Sequence, residues 1–158
     1  MKKLFLIFLF ISGLVFGQNV ELLQKANSGD ETFAQTFTKN IYPDYKLVDS
    51  YKEGLNYTYV LVPEKTSEAE VKDCKLGNPC KIGVSVVYKV INGNYVFSSA
   101  KGDSESLFAF WTKEVQPAEK TTAIKSYKNK EAKVWYNLEP TPKSWRIVNM
   151  SDRSDSQW

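Results

Sequence analysis

From Lys46 onward, hydrophobic residues recur at every second position, and turn-forming pairs interrupt the runs. That period belongs to β-strands, whose successive side chains point to opposite faces. KLVDSYKE and NYTYVLV flank Gly54-Leu55 and read as a hairpin. KIGVSVVYKVI and NYVFSSA flank Asn92-Gly93, a pair suited to the positive φ angles of a type I′ turn. TTAIKSYK with EAKVWYNL predicts a third hairpin, and SWRIVNM a final strand. SESLFAFWTKEV fits two periods. Its aromatics suit a strand, but Leu107, Phe108, Trp111 and Val115 also fit a helix capped at Asp103 or Ser104. The strands on both sides favour the strand reading.

Before Pro43 the period is helical. Val20, Leu22 and Leu23 begin one pattern, which Asn27-Ser28-Gly29 interrupts. Asp30 is an N-cap for a second segment, Glu31 to Ile41, where Phe33, Phe37 and Ile41 share one face. Ser67 and Glu70 have the spacing of a capping box for a short helix through Val71. These signals predict an α+β domain over residues 18–150: an N-terminal helix, or two, packed on a curved antiparallel β-meander. Cystatin-like and NTF2-like domains are built in this general way, although no motif identifies either. A small antiparallel β-barrel is the alternative, because the strands that follow the helices are numerous enough to close one. The polar tail SDRSDSQW, residues 151–158, reads as disordered.

The chain begins MKKLFLIFLFISGLVFGQN. Lys2 and Lys3 form a positive leader and Leu4 to Ile11 an apolar run. Val15 and Gly17 place small residues before a cleavage point at Gln18. This is the pattern of a secretory signal peptide over residues 1–17. A membrane span needs about 20 apolar residues, more than the run supplies. The short lysine-led leader ending in Gly-Gln resembles those of exported Bacteroidota proteins. A periplasmic or secreted protein, with no membrane insertion after cleavage, is the expectation. Loss of the two lysines takes the formal charge from +3 to +1. A near-neutral chain has no electrostatic basis for binding nucleic acid.

The chain contains no histidine, which excludes Ser-His-Asp and Cys-His catalysis. It contains no Gly-rich phosphate loop and no calcium-loop motif, so neither a cofactor nor a metal is expected. Carboxylate chemistry is still open to it. Asp103 and Glu105 in KGDSES are the candidate pair for a small hydrolase, set against a capping Asp103 and a solvated Glu105. Asn56-Tyr57-Thr58 and Asn149-Met150-Ser151 match the glycosylation pattern by coincidence in a chain with a bacterial leader. Lys125, Lys128, Lys130 and Lys133 form a modest basic patch around one turn.

Aromatic residues are abundant: 9 Tyr, 9 Phe and 4 Trp, mostly in strand-like segments. Alternation places Tyr57, Tyr59 and Leu61 on one face, and Val84, Val86 and Tyr88 on one face of the next strand. Val134, Tyr136 and Leu138 lie opposite Trp135. Such rings fill cores, and they also line surfaces that hold a ligand or dock a protein. Tyr88, Trp111, Trp135 and Trp145 are the candidate ligand-binding residues.

Cys74 and Cys80 are the two cysteines. In an oxidising compartment such a pair is most simply a disulfide. Metal binding lacks further ligands, and the five-residue gap exceeds that of redox pairs. The expected function is therefore an exported, non-catalytic binding or interaction protein of the bacterial envelope. Its partner is an unknown small ligand or a protein, as for an inhibitor or immunity protein. A carboxylate hydrolase and a purely structural envelope component are the alternatives.

Overall fold

In the computed structural model, the structure describes residues 29–74, 83–113, 116–121, 123–129 and 133–152. The leader, the first helical pattern, Cys80 and residues 153–158 lie outside the described residues. Among the described residues, eight strands form one antiparallel sheet: β1 Tyr45–Glu53, β2 Asn56–Pro63, β3 Val84–Ile91, β4 Asn94–Gly102, β5 Gln116–Thr121, β6 Ile124–Asn129, β7 Val134–Thr141 and β8 Ser144–Asn149. The strand order is β1-β2-β3-β4-β8-β7-β6-β5. The sheet is open, with β1 and β5 at its edges. The α+β class with an antiparallel sheet is as expected, and the barrel alternative is not adopted.

The topology departs from a single meander. Strands β1 to β4 form one meander and β5 to β8 a second. The two halves meet where β4 pairs with β8, the last strand. The cause is the segment after β4, which is helical and not the expected strand. A 3₁₀ turn spans Glu105–Phe108, followed by a short α-helix, Ala109–Lys113. Phe108 and Trp111 both point into the core from it, at 0% exposure. Aromatic enrichment there reflects burial against the sheet, which favours strands and core-facing helices alike. This crossing lifts the chain off the edge of β4 and leaves that edge for β8. It seats closely at Gly102, where a Cβ would meet Leu107 Cδ1 at 2.5 Å.

Strand β5 was not anticipated. Its sequence, QPAEKT, contains Pro117, which lacks an N–H and suits an edge position. The expected run TTAIKSYK is divided, since Thr121 ends β5 and Ile124 begins β6. The Asn92-Gly93 turn joins β3 to β4 with φ angles of 50° and 81°, as a type I′ turn requires.

Helix α1, Glu31–Ile41, forms as the sequence indicates. Asp30 Oδ1 accepts a hydrogen bond from the Phe33 amide at 2.8 Å. Ala34, Phe37 and Thr38 are buried, and Phe33 and Ile41 pack against the core cluster. That cluster includes Tyr59, Val86, Tyr88, Phe97, Trp111, Tyr136, Leu138 and Ile147. The alternate side chains of β2 are also buried, with Val62 at 0% exposure. Helix α2, Glu68–Asp73, carries the complete Ser67–Glu70 capping box. It lies beside β1, where Lys46 Nζ donates to the Thr66 carbonyl at 2.9 Å. Cys74 follows as its C-cap and is 3% exposed; no free cysteine occurs among the described residues.

Candidate ligand-binding cleft

Strand β4 has two different neighbours along one edge. Ser99 to Gly102 pair with Trp145 to Val148 of β8. A β-bulge follows, because Val87 faces Ser99 whereas Tyr88 faces Phe97, leaving Ser98 as the extra residue. A bulge bends its strand and interrupts the ladder. Beyond it, β4 no longer pairs with β8. Its backbone groups find other partners, as buried peptide groups must. Asn149 Nδ2 donates to the Phe97 carbonyl at 2.7 Å, and the Tyr95 amide donates to the Gly29 carbonyl at 2.7 Å.

The chain after β8 stays with β7. The Met150 amide donates to the Trp135 carbonyl at 2.8 Å, and the Trp135 amide donates to Ser151 Oγ at 3.0 Å. The Ser151 amide donates to Asn149 Oδ1 at 2.9 Å. Ser151 and Asp152 thus form a turn, and the rest of the tail lies outside the described residues. The hydroxyl of Ser151 and the side chain of Asn149 become parts of the sheet's structure.

The divergence opens a cleft of about 380 Å³, within the range of small-molecule sites. Lys89, Ile91, Val96, Phe97, Ser98, Lys133, Asn149, Ser151 and Asp152 line it. Ile91 is 45% exposed, and its apolar surface adjoins Val96 across the β3–β4 turn. Lys89 pairs in register with Val96, and Lys133 has a positive φ of 51° at the start of β7. Two lysines, Lys89 and Lys133, and one acid, Asp152, therefore line the cleft together with apolar and hydroxyl side chains. The arrangement can hold a short apolar group while attracting an anionic oxygen headgroup.

The four aromatic residues selected from the sequence do not come together. Tyr88 and Trp111 are fully buried in the core, on the side facing the helices. Burial pushes the Tyr88 hydroxyl pKa well above its ordinary value. Trp145 packs at the margin of that same core, with Lys125 Nζ 5.8 Å from its ring centroid. Trp135 lies on the opposite face. Lys128 Nζ sits 3.9 Å from its ring centroid, and its Nε1 donates to Asn137 Oδ1 at 3.0 Å. Of the four, Trp135 alone adjoins the cleft, through its backbone bonds to Met150 and Ser151.

Asp103 and Glu105 are drawn in different directions. Lys125 Nζ donates to Glu105 Oε1 at 2.5 Å, and this bond holds the lysine pKa up. Asp103 is exposed and near enough to Tyr45 to add to the burial effect that raises the tyrosine pKa. Sequence reasoning missed the cleft itself. Its one visible trace was the lysine patch, of which Lys133 reaches the cleft and Lys125 and Lys128 serve other partners. No group of three or more metal-ligating side chains occurs among the described residues, and no described helix is long and apolar enough to cross a membrane. No protein family model, no curated protein and no solved structure matches this chain.

Proposed function

We propose that this chain is an exported, non-catalytic binding protein of the bacterial envelope, periplasmic or secreted, and that the cleft between β4 and β8 is its ligand site. The ligand class is a small amphipathic anion. The observation that carries this reading is the lining of the cleft: Lys89 and Lys133 beside the apolar surface of Ile91 and Val96. Hydroxyl and amide groups from Ser98, Ser151 and Asn149 supply orientation, as is usual in small-molecule sites.

The leader supports export, and export supports a Cys74–Cys80 disulfide closing the segment before β3. The buried position of Cys74 fits that bridge. The helix-on-sheet layers support a cystatin-like or NTF2-like build in general outline. A carboxylate hydrolase has less support, because Glu105 is already engaged by Lys125.

Native mass spectrometry of the protein recovered from envelope extract tests the reading. The expected result is a small anion retained under mild conditions and lost in Lys89→Ala. Recovery of the unmodified chain mass alone, from extract of the native envelope, contradicts it.

A further inference from the structure

The last ladder pair between β4 and β8, on the side of the cleft, is Ser99 with Val148. Ser98 is bulged out of β4, so Phe97 and Asn149 stand where the next pair would form. The backbone of Asn149 stays in register with Tyr136 of β7. Its side chain reaches across to β4. Nδ2 donates to the Phe97 carbonyl at 2.7 Å, and Oδ1 accepts from the Ser151 amide at 2.9 Å. The second bond, from an amide two positions on, is an Asx-turn, which asparagine forms readily. Phe97, Asn149 and Ser151 all line the cleft.

Paired strands lie about 4.7–4.9 Å apart when their backbone groups bond directly. At Asn149 a side chain is inserted into that link, and a side-chain link is longer than a backbone one. Both ends of the arm are anchored. Phe97 is 1% exposed and stacks on Trp111 at a centroid distance of 3.9 Å. Ser151 is held by β7, where its Oγ accepts from the Trp135 amide at 3.0 Å. The arm has to donate at one end and accept at the other. A carboxamide does both, whereas a carboxylate only accepts and a leucine does neither.

We propose that Asn149 is a positioning residue, a spacer whose carboxamide fixes the width of the cleft between β4 and the turn at Ser151 and Asp152, and so selects ligands by the breadth of their apolar group. For the ligand class this rests on the cleft reading given above. Val96 and Ser98 stand on the β4 side of the arm, and Ser151 and Asp152 follow it on the other. A spacer of fixed length favours a straight-chain anion over a branched one of the same charge and carbon count. Lengthening the arm by one methylene widens the fork and relaxes that preference.

The probes are octanoate and its branched isomer 2-propylpentanoate, titrated into the mature protein by calorimetry. The parent chain is expected to bind octanoate more tightly. Asn149→Gln keeps both hydrogen-bonding groups and should shift the affinity ratio toward the branched acid by about tenfold, the low end of what one methylene controls in an apolar pocket. A role in stability alone would lower Tm without moving the ratio. Equal affinities in the parent, or a ratio unchanged in Asn149→Gln, overturn the proposal. Asn149→Leu removes both bonds and is read without ligand. Amide hydrogen exchange at Ser151 and Trp135 should quicken by about tenfold, because the tie from Ser151 to Phe97 is lost. Parental exchange rates at both amides overturn the spacer. If the parent binds neither acid, the ligand class of the cleft falls, and the exchange rates still decide the spacer.

Discussion

Trp111 lies face to face on Phe97, with ring centroids 3.9 Å apart and planes 15° from parallel. The stack locks the helical crossing onto β4 beside the junction of the two half-sheets. Phe37 of α1 and Tyr136 of β7 close around the indole, at centroid distances of 5.8 and 5.4 Å. Trp111→Ala removes the side chain that all three elements share. A loss of about 3–5 kcal/mol in unfolding free energy is expected, as for other buried large-to-small changes. Urea unfolding followed by circular dichroism measures it, and a loss below about 1 kcal/mol contradicts this role.

Thr38 links α1 to β3 through its hydroxyl. Thr38→Val keeps the shape of the side chain but leaves the buried Tyr88 hydroxyl without its acceptor. The expected loss is about 1–3 kcal/mol, because an unsatisfied buried donor bears its full desolvation cost. Removing Tyr88 Oη as well, in Thr38→Val/Tyr88→Phe, is expected to recover part of that loss. A double-mutant cycle with no coupling contradicts the link.

High pH tests the buried tyrosines. Burial raises the pKa of Tyr42, Tyr88 and Tyr136 above the ordinary 10.0. The folded state therefore holds their protons more tightly than the unfolded state. Their contribution to stability is fully present below pH 10 and declines as pH rises from there through the folded values. The slope approaches about 1.4 kcal/mol per pH unit for each tyrosine. Urea midpoints at successive pH values above 9 should fall progressively faster, and a flat profile contradicts the burial of these hydroxyls.

Much of this fold was legible in local residues. Asp30 announced α1, Ser67 and Glu70 announced α2, and Asn92-Gly93 announced the central hairpin, because caps and turns act over three or four residues. The crossing at Glu105–Lys113 was not legible, since Phe108 and Trp111 serve a buried helix as well as a strand. That one ambiguity hid the junction of β4 with β8 and therefore the cleft. Site residues were harder still. A buried ring and a ligand-facing ring look alike in sequence, so Tyr88 and Trp111 could not be told from Trp135. The Ser98 bulge, which opens the cleft, depends on register between strands and leaves no local mark.

Cys74 tests the compartment. The proposed bridge to Cys80 would close a short loop and stabilise by roughly 2.4 kcal/mol in the chain-entropy account. Cys74→Ser is expected to lower Tm and leave ligand binding intact, because the cleft lies across the sheet at β4 and β8. Two free thiols titrated in the native exported protein contradict the bridge.

The central claim concerns the cleft, and a nuclear magnetic resonance titration tests it most directly. The probe is octanoate added to the ¹⁵N-labelled mature protein, with octanol as the uncharged control. Saturable shifts at the amides of Ile91, Val96, Ser98 and Ser151 are expected with octanoate. Lys89→Ala should weaken them, and octanol should produce much smaller ones. Absence of saturable shifts at these amides, or equal shifts with octanol, contradicts an amphipathic-anion site between β4 and β8.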